Sequence, residues 1–155
     1  GGGFSSQLMK EVREKRGLTY GIDTDLNTYS KAGVFVGQVA TKKESVKQTI
    51  DVIRQVMSNF VDKGASAAEL TDAKTYLTGS FPLAFDSNTG IAAQLNAFQR
   101  VGLAPDYIVK RNDMIEAVTQ DDIKRVAKRL FNPAKMTIVV AGGISDAKAP
   151  AKSAP

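Results

Sequence analysis

Chemistry in this chain has to be done without histidine and without cysteine, since its 155 residues contain neither. Without thiols there is no disulfide, no thiolate metal site and no cysteine nucleophile. Without imidazole the commonest metal ligand and general base is missing, which removes a Ser-His-Asp triad and any histidine-based zinc site. Asp and Glu could hold Mg or Ca, but no acidic loop of the EF-hand type occurs. The remaining candidates are amines, guanidiniums and phenols. Lys10, Arg13, Lys15 and Arg16 form the densest basic group, with Tyr20 just beyond it. Gly1, Gly2 and Gly3 stand ahead of it and allow mobility and close backbone approach. They follow no strand and lack the spaced G-x-G-x-x-G pattern, so they are not a dinucleotide fingerprint.

The formal charge of +5 raises the question of nucleic acid. The bases are interleaved with acids along the chain, as on a solvated surface. The densest group has no aromatic stacking partners beside it, and Lys148 and Lys152 fall in a low-complexity tail. No nucleic-acid partner is expected. No apolar run approaches the roughly 20 residues of a spanning helix, so no membrane insertion is expected either. The chain starts at Gly1 rather than Met, which points to a cut or processed end, and no secretory signal is visible. The lack of cysteine fits a bacterial periplasm and a cytoplasm equally.

The elements that must position these residues follow from periodicity. A short helix runs to Lys15, capped by Ser5 or Ser6, with Leu8, Met9 and Val12 as its apolar stripe and Gly17 ending it. From Leu18 to Tyr29 the period becomes two. Leu18, Tyr20, Ile22 and Leu26 point one way, with Thr19, Asp23, Asp25 and Asn27 opposite. Val34 to Thr41 is a second strand, and the short turn between makes an antiparallel hairpin. On this pattern alone Tyr20 is a packing tyrosine on the apolar side, and Arg13 a surface arginine.

Lys43 to Leu130 is helical throughout. Val46, Ile50, Ile53, Met57, Phe60 and Val61 form a 3.6-residue stripe closed by Gly64. Ser66 with Glu69 is a capping box opening a helix that runs to Pro82. Further helices cover Asn88 to Val101, a shorter stretch after Pro105, and a last one capped by Thr119 and Asp122. Asn132-Pro133 stops the helices, and the apolar run Met136 to Ala141 is predicted as a third, central strand. Residues 1–143 make one α+β domain, an antiparallel sheet with helices on one face. Residues 144–155, rich in Ala, Lys, Pro and Ser, make a disordered tail. A three-stranded sheet is thin, so at least one strand and a helix are expected ahead of Gly1 in a parent protein.

The stretch GGGFSSQLMKEVREKRGLTY, Gly1 to Tyr20, closely resembles a signature of the insulinase/pitrilysin (inverzincin) metallopeptidases, in their second domain or non-zinc subunit. Ala68-Glu69-Leu70 with Ala73-Lys74, then Val118 to Asp122 with Val126-Ala127, then Thr137 to Gly142 resemble further family segments in the same order. The resemblance implies two similar halves around a chamber, one of which carries zinc on an H-x-x-E-H motif. With no histidine, this chain resembles the other half, and no metal is expected on it. The resemblance further implies that Arg13 and Tyr20 match the family's Arg/Tyr pair, that Tyr20 donates to the carbonyl oxygen under attack, and that Arg13 holds a neighbouring substrate carbonyl. Gly1, Gly2 and Gly3 match a glycine-rich loop that contacts substrate. The implied partners are a homologous zinc-bearing domain or subunit and a peptide. The chain alone is expected to be inactive. The resemblance also covers relatives that have lost peptidase activity and serve as structural core subunits, which is the alternative expectation.

Overall fold

A two-stranded antiparallel hairpin, whose turn end groups with the second of two units, and the helical segments on one of its faces hold the chain's N-terminal part. The structure is a computed structural model that describes residues 1–29 and 31–142. The proposed tail at 144–155 lies outside the described residues. By its internal contacts the chain divides into Gly1–Asp25, Phe35–Val56 and Pro133 onward as one unit, and Leu26–Val34 with Met57–Asn132 as the other.

Strands β1 (Thr19–Thr28) and β2 (Gly33–Thr41) pair as predicted, and the Tyr29 N–H donates to the Ala32 carbonyl at 2.8 Å across the turn. In the first unit one face of this sheet is covered by the segment Met9–Glu14 and by the first part of α1 (Val46–Lys63). Leu8, Met9, Val12, Leu18, Ile22 and Val56 form its buried core, with Val39, Val52 and Ile53 against it. Val12 is 0% exposed. The fold is therefore α+β, with helical cover on one face of a small antiparallel sheet.

One polar group is sealed into this unit. Thr49 on α1 is 1% exposed, in the middle of an apolar face. Its hydroxyl donates to Thr41 Oγ1 at 3.2 Å, and the Thr41 hydroxyl donates to the Leu18 carbonyl at 2.6 Å. A buried hydroxyl without an acceptor would cost about 1–3 kcal/mol, so the relay fixes the register of helix, second strand and first strand together.

Three expectations are corrected. Tyr20 and Leu26 do not share the burial of Leu18 and Ile22, although they share their parity on β1. Tyr20 is 100% exposed and Leu26 is exposed too. Alternation fixes the side of the sheet on which a residue stands, whereas burial needs a covering element, and only Leu18 and Ile22 lie under one. The run Met136 to Ala141 forms no strand. A strand exists only with a partner on its edge, and among the described residues β1 and β2 pair only with each other, leaving Val139 87% exposed. The first helix is not regular either. Met9–Glu14 is π-helical, closed by the Lys15 N–H on the Lys10 carbonyl at 2.9 Å.

The second unit follows the sequence closely. It holds the end of α1, α2 (Ala67–Ser80), α3 (Asn88–Arg100), α4 (Tyr107–Glu116) and α5 (Gln120–Leu130). Gly64 ends α1 at φ +74°, a conformation that side chains with a Cβ avoid. Both capping boxes form, Ser66 with Glu69 and Thr119 with Asp122. After α2 a 3₁₀ segment, Phe81–Phe85, turns the chain at Pro82. Its core is aromatic: Phe81 packs on Phe85 at 5.1 Å and on Phe98 at 6.5 Å, and Phe98 on Tyr107 at 5.1 Å between ring centroids.

Two outcomes test this packing. Thr41→Val removes the middle of the relay and strands both the Thr49 hydroxyl and the Leu18 carbonyl. It should cost about 2 kcal/mol in urea unfolding, whereas Thr49→Val should cost ~1 kcal/mol or less. In the second unit, hydrogen bonds from Arg125 and then from Thr119 hold the Asp122 carboxyl down to about 2. A depressed carboxylate stabilises the fold above its unfolded value of about 4 and loses that effect as pH falls towards 2. Acid titration of α5 helicity should therefore show a loss in that window, and Asp122→Asn should abolish its pH dependence.

Candidate functional site

The N-terminal twenty residues build the site through a succession of local devices. Gly3 has φ +83°, a left-handed conformation open to glycine at little cost. The Ser6 N–H donates back to the Gly3 carbonyl at 3.3 Å, closing a turn that carries Phe4 at its corner. Ser6 then acts as the cap, its Oγ accepting from the Met9 N–H at 3.3 Å. The π-helical segment follows and carries Arg13. Gly17, at φ +60°, ends it.

That ending is a wide form of the usual glycine clasp. The Gly17 N–H donates to the Arg13 carbonyl at 2.9 Å, and the Leu18 N–H to the Val12 carbonyl at 3.0 Å. Each bond spans one residue more than in the ordinary α-helical version, in keeping with the longer hydrogen-bond span of a π helix. Arg13 and Val12 are thus tied through their own carbonyls to the start of β1, two residues before Tyr20.

The resulting surface is a shallow, open depression of about 280 Å³ lined by Gly3, Phe4, Met9, Tyr20, Gly21, Ile22 and Asp23. Tyr20 stands on it with its side chain wholly in solvent. Arg13 does not line the depression, but its guanidinium carbon lies 5.6 Å from the centroid of the Phe4 ring, within cation–π range. Arg13 is half-buried, and among the described residues no carboxylate pairs with it. Glu11, the acid in the first turn of the same segment, is engaged elsewhere. Lys15 Nζ reaches its Oε1 at 2.5 Å and Arg16 Nη1 its Oε2 at 2.6 Å. These hydrogen bonds from Lys15 and Arg16 hold the Glu11 carboxyl below its ordinary range.

The three glycines differ. Gly3 lines the depression, and Gly2 has nothing within 4 Å of the place a Cβ would take. At Gly1 a Cβ would collide with the Thr24 side chain on β1. Phe4, Met9 and Asp23 were not read as site residues from the sequence, which placed Met9 in the apolar stripe and Asp23 on the polar side of the first strand. Their only signal was position, Phe4 and Met9 flanking the cap and Asp23 following the buried Ile22. Among the described residues no group of three or more His, Cys, Asp or Glu side chains could hold a metal ion. No helix among the described residues is long and apolar enough to cross a membrane.

Comparison with known proteins follows the same segment. Residues 1–77 match the peptidase M16 inactive domain. The chain belongs to that family, within the insulinase/pitrilysin clan. The crystal structure of a peptidase M16 inactive domain from Pseudomonas fluorescens superimposes with a TM-score of 0.77 at 32% identity, over 86% of this chain and 32% of that one. A Helicobacter pylori protein described as a non-peptidase homolog is 36% identical over 97 residues, 62% of this chain and 22% of its own length. A Streptomyces coelicolor protein described as an uncharacterized zinc protease is 29% identical over 152 residues, 96% of this chain and 32% of its own length. The chain thus spans a third or less of the length of these curated relatives.

The left-handed glycine gives a direct test of how the depression is built. Gly3→Ala should cost about 1 kcal/mol in thermal unfolding and shift the Phe4 ring resonances. Gly2→Ala, with open space around it and no positive φ, should change neither.

Proposed function

We propose that this M16 inactive domain is the metal-free half of a zinc peptidase and lends Arg13 and Tyr20 to a zinc site carried by a homologous partner. The partner would be another domain of the same polypeptide or a second subunit, and the substrate a peptide. The observation that carries the reading is the presentation of the two side chains. Tyr20 projects freely beside an open depression, and Arg13, close by on Phe4, has no carboxylate partner among the described residues.

The zinc, held by the partner, would supply a polarised water. On this chain, the phenol of Tyr20 would donate a hydrogen bond to the carbonyl oxygen as negative charge develops on it, which matters more in the transition state than in the bound substrate. Arg13 would donate from its charged fork to a neighbouring backbone carbonyl of the peptide and so fix the register of the chain. Gly2 and Gly3, with room beside them, would let the peptide backbone approach. Neither residue alone polarises water, so the chain by itself would not hydrolyse peptides.

The second reading is a structural, peptidase-inactive subunit of a larger assembly. The relative described as a non-peptidase homolog favours it, because it is 36% identical over its matched residues. Turnover by the full-length protein with its zinc-bearing half separates the two. On the first reading Tyr20→Phe lowers kcat about 100-fold, the scale of one lost oxyanion donor. Arg13→Ala lowers kcat/KM, and zinc content stays constant in both variants. A zinc-bearing assembly whose cleavage is indifferent to both substitutions would exclude the first reading.

A further inference from the structure

Phe4 stands in an unusual position for a large apolar side chain. It is 75% exposed, yet it is placed by a left-handed glycine before it and a closed turn after it. One face of its ring meets the Arg13 guanidinium at 5.6 Å, and the residue also lines the depression on which Tyr20 stands. Burial alone does not account for this arrangement, because Phe4 lies outside the core cluster of the first unit.

An arginine side chain has four rotatable bonds and loses much conformational freedom when it is held. The usual way to hold one is a carboxylate, which also occupies the donors that a substrate would need. Here Glu11, two residues before it, is engaged by Lys15 and Arg16 instead, and no carboxylate among the described residues forms an ion pair with Arg13. An aromatic face restrains a guanidinium through its ring quadrupole while leaving the in-plane N–H groups free. We infer that Phe4 is a positioning residue for Arg13: it orders the guanidinium without consuming its hydrogen-bond donors, so that they remain available to a carbonyl or carboxylate oxygen of a bound peptide. This rests on the reading of Arg13 given above, but the ordering of Arg13 is measurable by itself.

The test has two arms on the full-length protein with its zinc-bearing half. In the first, side-chain relaxation of the Arg13 Nε–H is measured in the parent protein, Phe4→Leu and Phe4→Tyr. Phe4→Leu keeps an apolar side chain but removes the ring, and should mobilise Arg13; Phe4→Tyr should restore its order. Unchanged relaxation in Phe4→Leu overturns the inference. In the second arm, Phe4→Leu should lower kcat/KM about three- to fivefold, the scale of an exposed cation–π contact, and Phe4→Tyr should recover it. The same Phe4→Leu step made on top of Arg13→Ala should add no further loss. An equal loss in that background means that Phe4 acts on something other than Arg13, and the inference fails. Should Arg13→Ala itself leave turnover intact, the functional reading of Arg13 falls, while the relaxation arm still decides whether Phe4 orders it.

Discussion

A single buried hydroxyl relay sets the geometry on which the rest depends. Thr49 donates to Thr41 and Thr41 to the Leu18 carbonyl, so one helix and two strands meet at a point that admits little slippage. Sliding the hairpin by one residue would turn every β1 side chain to the opposite face and leave a sealed hydroxyl without an acceptor. Val12, fully buried beside the same strand, adds an apolar constraint to the polar one. Together they fix where β1 begins, and Tyr20 follows two residues after Leu18.

The presentation of Arg13 depends on irregular backbone in the same way. Regular α-helical geometry from Ser6 to Gly17 would close the helix with narrower bonds and rotate Arg13 about the axis. Each hydrogen bond of the π-helical segment closes over one residue more than in an α-helix, and the clasp at Gly17 widens to match. Helices of this kind are uncommon and often accompany functional sites. In this chain the irregularity falls within the segment whose residues most closely resemble the family signature.

Much of the second unit was legible because its signals are local. Ser66 and Thr119, each followed three residues later by an acid, announce helix starts, and both boxes form. Gly64 and Pro82 mark stops for steric reasons that need no tertiary context. The first unit was harder to read. Thr49 looks like a polar interruption of an apolar stripe until Thr41 is brought opposite it. Periodicity put Tyr20 with Leu18 and Ile22, and it does share their parity, but exposure depends on where the covering helix stops. The pairing of Arg13 with Phe4 has no periodic signature, since it joins a turn to a π-helical segment. The family resemblance, in contrast, lay in plain residues from Gly1 to Tyr20, and residues 1–77 carry the family match.

The largely apolar run Met136 to Val140, without a ladder partner among the described residues, has a consequence for handling the chain. Its backbone N–H and C=O groups lie beside side chains such as Val139 that water does not favour. A short β-prone stretch of this kind, free of charge between Met136 and Val140, is a ready template for pairing with a like stretch on another molecule. At high concentration the stretch would therefore favour self-association, which a charge in place of the exposed Val139 would oppose.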